Sequence, residues 1–218
     1  MHRWASLSRR DDLARLAKPT TTTHPVAVIR PFYQQAFNVV WLAWLIYWGI
    51  AAISTKRTRY RESVPSRLLH LVPLILGIAL LVSPQIAGSW LTLRFLPRSP
   101  AWFLLGLGFT ILGLGLSVYA RVWLGRNWSG TVTLKEDHEL IRGGPYRWAR
   151  HPIYTGILLA VLGSALAEGQ WRGLVALALI TAAFLRKIKV EERVLTEQFG
   201  DAYRRYQAEV PALVPGVH

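Results

Sequence analysis

Arg150, His151 and Tyr154 crowd into GPYRWARHPIYTG, the stretch from Gly144 to Gly156. Pro152, between the last two, lacks a backbone N–H and has φ preset, so it suits the first turn of a helix. His151 then stands at the cap, where exposed N–H groups and the positive end of the helix dipole favour an anion. Further along, Glu191 and Glu192 stand side by side, with Lys187 one turn before Glu191 and on its face. Taken singly, each residue has an ordinary reading: an interfacial tyrosine, a snorkelling arginine, a capping histidine, a solvated ion pair. Paired acids next to an anionic lipid leaflet are not placed there by lipid electrostatics, so a cation is expected near them. His138 lies among Glu136, Asp137 and Glu139, but the spacing matches no zinc signature and no metal is expected. The chain has no cysteine, which removes thiolate nucleophiles, thiolate metal sites and disulfides.

These residues sit at the ends of apolar segments. Of 218 residues, 52% are hydrophobic, with ten Trp and eight Tyr, a balance that suits a bilayer. The net charge of +14 does not indicate nucleic acid, because the cations cluster between apolar blocks instead of interleaving with aromatics on a soluble face. Five apolar segments emerge: Phe37–Ser54; about Leu68 to Trp90, with bends expected at Pro73 and Pro84; Ala101 to about Leu124; Ile153–Ala167; and Gly173–Leu185. The expected fold is therefore all-α, an integral-membrane helical bundle of about five spans with a pocket at its cytoplasmic side. The last two segments fall short of the roughly 20 residues a span needs. Either they extend into their polar flanks or they form a hairpin that ends inside the bilayer edge. Residues 1–35 read as a surface segment with a TTTT linker, 36–123 as three spans, and 124–218 as a core of loop, hairpin and amphipathic tail.

Most of the 26 Lys and Arg fall in the loops 56–67 and 121–150 and in the tail from Arg186. The positive-inside rule puts these on one, cytoplasmic, side, together with the C-terminus, so loop and tail can meet. In the tail, Leu195, Phe199, Ala202, Tyr203, Tyr206 and Val210 recur at steps of three and four, an amphipathic helix with a bend expected at Gly200.

RHPIYTG, then a short apolar hairpin, then EERVLTEQFGDAYRRYQAEVP resembles the isoprenylcysteine carboxyl methyltransferase family, which is related to the phospholipid methyltransferases. The resemblance runs from about Leu124 to Pro215. It implies an S-adenosylmethionine-dependent enzyme whose cofactor is held by His138, Glu139, Leu140 and Ile141 of the loop, by Tyr146, by His151, Pro152, Ile153 and Tyr154, and by Glu191. It also implies catalytic parts for Arg150, Lys187 and Glu192. The family usually carries an arginine, associated with the substrate carboxylate, where this chain has Lys187; Arg186 adjoins it. Lysine keeps the charge but loses the planar fork. The implied partners are membrane lipids and a lipophilic or prenylated acceptor entering from the bilayer. A carboxylate acceptor needs no general base, whereas an amine or thiol would need Glu192 or His151 as proton acceptor. Two other readings stay open on the sequence: a sterol-reductase-like NADPH enzyme, which would show HPNY where this chain has HPIY, and a non-catalytic scaffold.

Overall fold

A computed structural model describes residues 25–53, 63–125, 140–214 and 216, with side chains from Gln35 onward. Among the described residues six helices carry the architecture: α1 (Pro25–Ile53), α2 (Val64–Val82), α3 (Pro100–Leu124), α4 (Pro152–Glu168), α5 (Trp171–Phe199) and α6 (Asp201–Glu209). Among the described residues, three stretches are long and apolar enough to cross a bilayer, Gln35–Ile53, Val64–Val82 and Pro100–Leu124, and α4 is a shorter apolar helix. Large apolar side chains such as Leu42, Ile46, Ile50, Leu69, Ile75 and Leu112 are more than half exposed. Such a surface could not face water, and it suits lipid. The chain is an integral-membrane helical protein.

The closest packing is between α3 and α4. Both carry glycines seven residues apart, Gly106 and Gly113 on α3, Gly156 and Gly163 on α4, and the antiparallel helices pair them crosswise. A Cβ on any of these four would strike the partner glycine's carbonyl oxygen. Small residues at the interface allow this approach, and it lets Thr110 Oγ1 donate across the helices to the carbonyl of Ala160 at 3.1 Å. Gly77 performs the same service between α2 and α5, where an added Cβ would meet Ile180 Cγ1 at 2.7 Å. α1 is held by side chains instead: Trp41 Nε1 donates to Ser164 at 3.2 Å, Trp44 Nε1 to Ser117 at 2.7 Å, and Arg121 Nη2 to the Ala51 carbonyl at 2.6 Å.

The second apolar segment does not run to Trp90. Pro84 has no N–H to continue the ladder, so α2 stops at Val82 with Ser83 as its cap, and a 3-10 turn (Pro84–Ile86) and one helical turn (Gly88–Leu91) follow. Pro84 ends the helix where a bend was expected; Pro73 lies inside α2. The fifth segment took the extending alternative. Its apolar part, Gly173–Leu185, is the first half of a 29-residue helix whose polar half carries Arg186 to Glu192. The tail breaks at Gly200, which takes φ +54° and ψ −127°, a conformation open to glycine and strained for other residues. Tyr203, Tyr206 and Val210 bury there as one cluster, with Leu140, Leu195 and Phe199 packed on it.

Candidate active site

Three helices converge at one end of the bundle. α3 ends at Leu124, α4 begins at Pro152, and α5 passes both with its polar half. The chain returns after α6 and pairs with the start of α4: Arg150 N donates to the Pro211 carbonyl and His151 N to the Ala212 carbonyl, both at 2.9 Å. Thr155 Oγ1 adds a bond to the Leu213 carbonyl at 2.7 Å. Residues 210–213 thus form a strap across the cap of α4. The backbone N–H of His151 is spent on this strap, and its side chain makes no capping bond. The histidine does a different job from the capping one its position suggests.

Its imidazole lies between the two acids. Nδ1 is 3.5 Å from Glu191 Oε2 and Nε2 is 3.1 Å from Glu192 Oε1, with the side chain only 7% exposed. Burial alone would hold a histidine below its usual pKa; the hydrogen bonds and charges of both glutamates outweigh that and raise it. A carboxylate within reach of each nitrogen favours the doubly protonated, cationic ring. This is the cation that the paired acids called for.

The two glutamates are held differently. Glu192 Oε1 also accepts from Arg150 Nε at 2.7 Å, and Oε2 accepts from Gln207 Nε2 at 3.1 Å. Burial pushes its carboxyl up, but the bonds from His151 and Arg150 win and bring it down to about 2. Glu191 Oε1 accepts from Tyr154 OH at 2.7 Å and faces Lys187 Nζ at 3.8 Å. Its carboxyl is also lowered: burial works upward, and His151, Lys187 and Tyr154 together work harder downward. Tyr154 stacks on the imidazole, with centroids 5.6 Å apart, and on Phe184 at 4.6 Å.

Of the residues singled out from the sequence, Arg150, His151, Tyr154, Lys187, Glu191 and Glu192 are brought together. Pro152 and Ile153 are buried in the first turn of α4, and Ile153 joins Tyr146, Ala120 and Ile141 in an apolar cluster beside the acids. Leu140 packs on the tail cluster of Tyr203, Tyr206 and Val210. Arg186 donates to Ser66 of α2 at 3.0 Å, so its guanidinium points off the cluster. His138 and Glu139 lie outside the described residues. The Arg150 guanidinium donates to Glu192 and to the carbonyls of Gln207 and Val210, so in this structure it fastens the strap to the acids. Sequence reasoning missed Gln207 and Phe184. Phe184 lies one turn before Lys187 on the same face and was findable, but nothing in the spacing links Gln207 to an acid fifteen residues away.

Helical spans, a cluster of buried ionic groups at their polar end and a strap across it define a membrane protein with an interfacial site. Residues 101–202 match the phospholipid methyltransferase family. A protein-S-isoprenylcysteine O-methyltransferase of Schizosaccharomyces pombe is 35% identical over 112 residues, which is 50% of this chain and 48% of that protein. The cobalt-zinc-cadmium resistance protein CzcN of Cupriavidus metallidurans is 30% identical over 133 residues, 59% of this chain and 52% of its own. The solved eukaryotic intramembrane Ras methyltransferase, an isoprenylcysteine carboxyl methyltransferase, superposes on 72% of this chain and 54% of its own at 26% identity and a TM-score of 0.46, too loosely to carry an argument. The chain thus spans about half the length of these relatives.

Proposed function

We propose that the chain is an S-adenosylmethionine-dependent methyltransferase that esterifies the carboxylate of a lipophilic, isoprenylcysteine-like acceptor at the cytoplasmic face of the membrane. The observation that carries this reading is the His151–Glu191–Glu192 cluster, which offers cation-binding carboxylates and no proton acceptor. His151 has both nitrogens on carboxylates, and Glu192 is held at about 2. Glu192 is therefore a poor acceptor for a proton from an amine or a thiol at neutral pH, and the flanking carboxylates favour the protonated ring of His151, which has no free nitrogen to accept one. A carboxylate arrives already ionised and needs no base.

The residues fit the cofactor on their donor and acceptor chemistry. The cofactor carries positive charge at sulfur and at its amino group. Glu191 is a buried, ionised carboxylate whose bonds to charged partners are long, 3.5 and 3.8 Å, against about 2.7–2.9 Å for a tight charge-assisted bond. It can therefore accept a further cation. Tyr154 and His151 orient it, and Tyr146 with His138, Glu139, Leu140 and Ile141 of the loop are the residues proposed to complete the pocket. When bound, the group supplies an electrophilic methyl on a sulfonium. The protein's part is to align that methyl with the acceptor oxygen, to exclude water and to balance charge. Lys187, with Arg186 next to it, is the cation proposed to meet the acceptor's anion.

The test is to incubate the full chain in lipid vesicles with radiolabelled S-adenosylmethionine and N-acetyl-S-farnesylcysteine. The expected product is an organic-soluble label released as methanol by mild base. Base-stable label on phospholipid amines or on thiols, or tight NADPH binding with no label transfer, would overturn the reading.

A further inference from the structure

We infer that Arg67 and Arg186 together hold the phosphate of an anionic membrane lipid at the cation-rich end of the bundle, a site separate from the acid cluster. Among the described residues, the other arginines that are buried or partly buried each donate to a carbonyl or a carboxylate: Arg94, Arg121, Arg142, Arg150 and Arg172. Arg67 does not. Its guanidinium makes no hydrogen bond or ion pair with the described residues, and its Nε is buried. Arg186 meets a neutral group there, donating Nη2 to Ser66 Oγ at 3.0 Å. Ser66 and Arg67 are neighbours in the first turn of α2, which carries no acid, so the bond to Ser66 brings both arginines to one corner of the α2–α5 contact. Two partly buried cations thus gather there, and among the described residues neither meets a carboxylate. Such a pair calls for an anion between them.

The residues bordering the two arginines say which kind of anion. Val64, Leu68 and Leu69 on α2 and Leu185 on α5 are apolar and exposed, so in a bilayer they face acyl chains. A soluble anion has no use for them, whereas a phospholipid lays its chains along them and lifts its phosphate to the guanidinium groups. The planar fork of arginine meets phosphate oxygens in pairs, which suits this chemistry better than a point charge would. Two positive charges also favour a headgroup of net negative charge over a zwitterionic one, whose own ammonium they repel. A phosphate shared by both arginines fastens the start of α2 to the polar half of α5. No covalent step is involved. Because the Arg186 guanidinium points off the acid cluster, the inference stands apart from the methyltransferase reading.

The test follows lipid binding to the full-length protein by native mass spectrometry from detergent micelles, with phosphatidylglycerol, phosphatidylcholine and inorganic phosphate as probes. The wild type should retain phosphatidylglycerol with a Kd about tenfold below that for phosphatidylcholine. A basic side chain at an anionic membrane surface is worth about fivefold, so Arg67→Gln and Arg186→Gln should each weaken phosphatidylglycerol by about that factor, and the double variant by about 25-fold. Lys189→Gln, which removes an exposed cation from the same helix, should leave the affinity within about twofold of wild type, since exposed charges are screened. Should Arg67→Gln not fold, Arg186→Gln and the comparison of lipids in the wild type decide the matter. Equal affinity of the wild type for the two lipids, unchanged phosphatidylglycerol binding in Arg186→Gln, or an equal loss in Lys189→Gln would each overturn the site. Inorganic phosphate that displaces phosphatidylglycerol at equal concentration would overturn its assignment to a lipid.

Discussion

Glu191 and Glu192 are neighbours in sequence with opposite duties, and that difference can be measured. Glu192→Ala leaves Arg150 and His151 without their shared partner in a site where both are largely buried. A loss of about 3 to 5 kcal/mol in unfolding free energy is expected from stranding such charges. Glu191→Ala removes one hydrogen bond to Tyr154 and two long ionic contacts, so its cost in stability should be the smaller and its cost in cofactor affinity the larger. Thermal unfolding and S-adenosylhomocysteine binding, measured side by side, check the pair. The cluster also sets a pH window. His151 is raised on folding, so its contribution is full below its ordinary value near 6.5 and disappears as pH climbs through the elevated folded value. Glu192 is lowered, so its contribution is present above 4.5 and is lost as pH falls through about 2. Stability should therefore decline on the alkaline side above neutrality, and His151→Gln should flatten that decline; a melting temperature followed from pH 6 to 9 gives the answer. The residue types in this site were legible from RHPIYTG and EE, because a polar cluster beside apolar blocks needs a reason. That the missing cation was the histidine itself was not legible, because a position before Pro152 at a helix start suggests a cap, and the two acids that flank the ring lie about forty residues further on.

Among the elements, α3 and α4 make the scaffold on which the site depends. Gly113 and Gly156 face each other, with Ser117 next to Gly156 and also bonded to Trp44 of α1. Gly113→Ala puts a methyl group against the Gly156 carbonyl and the Ala160 backbone, neither of which can yield. About 1 to 3 kcal/mol of destabilisation is expected from such overpacking, whereas Gly108→Ala, with nothing near its added Cβ, should be neutral within about 0.5 kcal/mol. The comparison can be read from detergent-melting curves of the two variants. A glycine-rich third segment was visible from composition, but which glycines pack was not. Gly106, Gly108, Gly113 and Gly115 alternate between buried and open faces, and only the partner helix tells them apart. The ends of the elements followed local chemistry more faithfully: Pro84 and Gly200 each interrupt a helix for reasons confined to their own backbone.

Across the whole molecule, the two ends of the bundle differ. The end away from the cluster is closed by Arg172, 6% exposed, which donates to the carbonyls of Leu80 and Leu81 at the last turn of α2 and pairs with Glu168 at 2.6 Å. A charge that the sequence offers as a loop residue is here a cap for another helix. At the opposite end gather Arg150, Lys187 and the basic stretches flanking α4 and α5. The excess of cations there underlies the proposal that this end is cytoplasmic. Single cysteines introduced at Lys189 and at Arg98 into this cysteine-free chain should label from opposite sides of sealed, oriented vesicles, with Lys189 on the cytoplasmic one. By itself the sequence determined the helical, bilayer-embedded class, the short list of chemical residues and the breaks at proline and glycine, because each follows from composition, periodicity or one residue's backbone. Only the tertiary structure decided which partners those residues take: the strap over α4, Arg150 as its fastening, Gln207 on Glu192, and His151 shared between two acids. Such contacts join positions 15 to 61 residues apart, and at that separation partners are chosen by packing and by the need to satisfy buried charge, which leave no period in the chain.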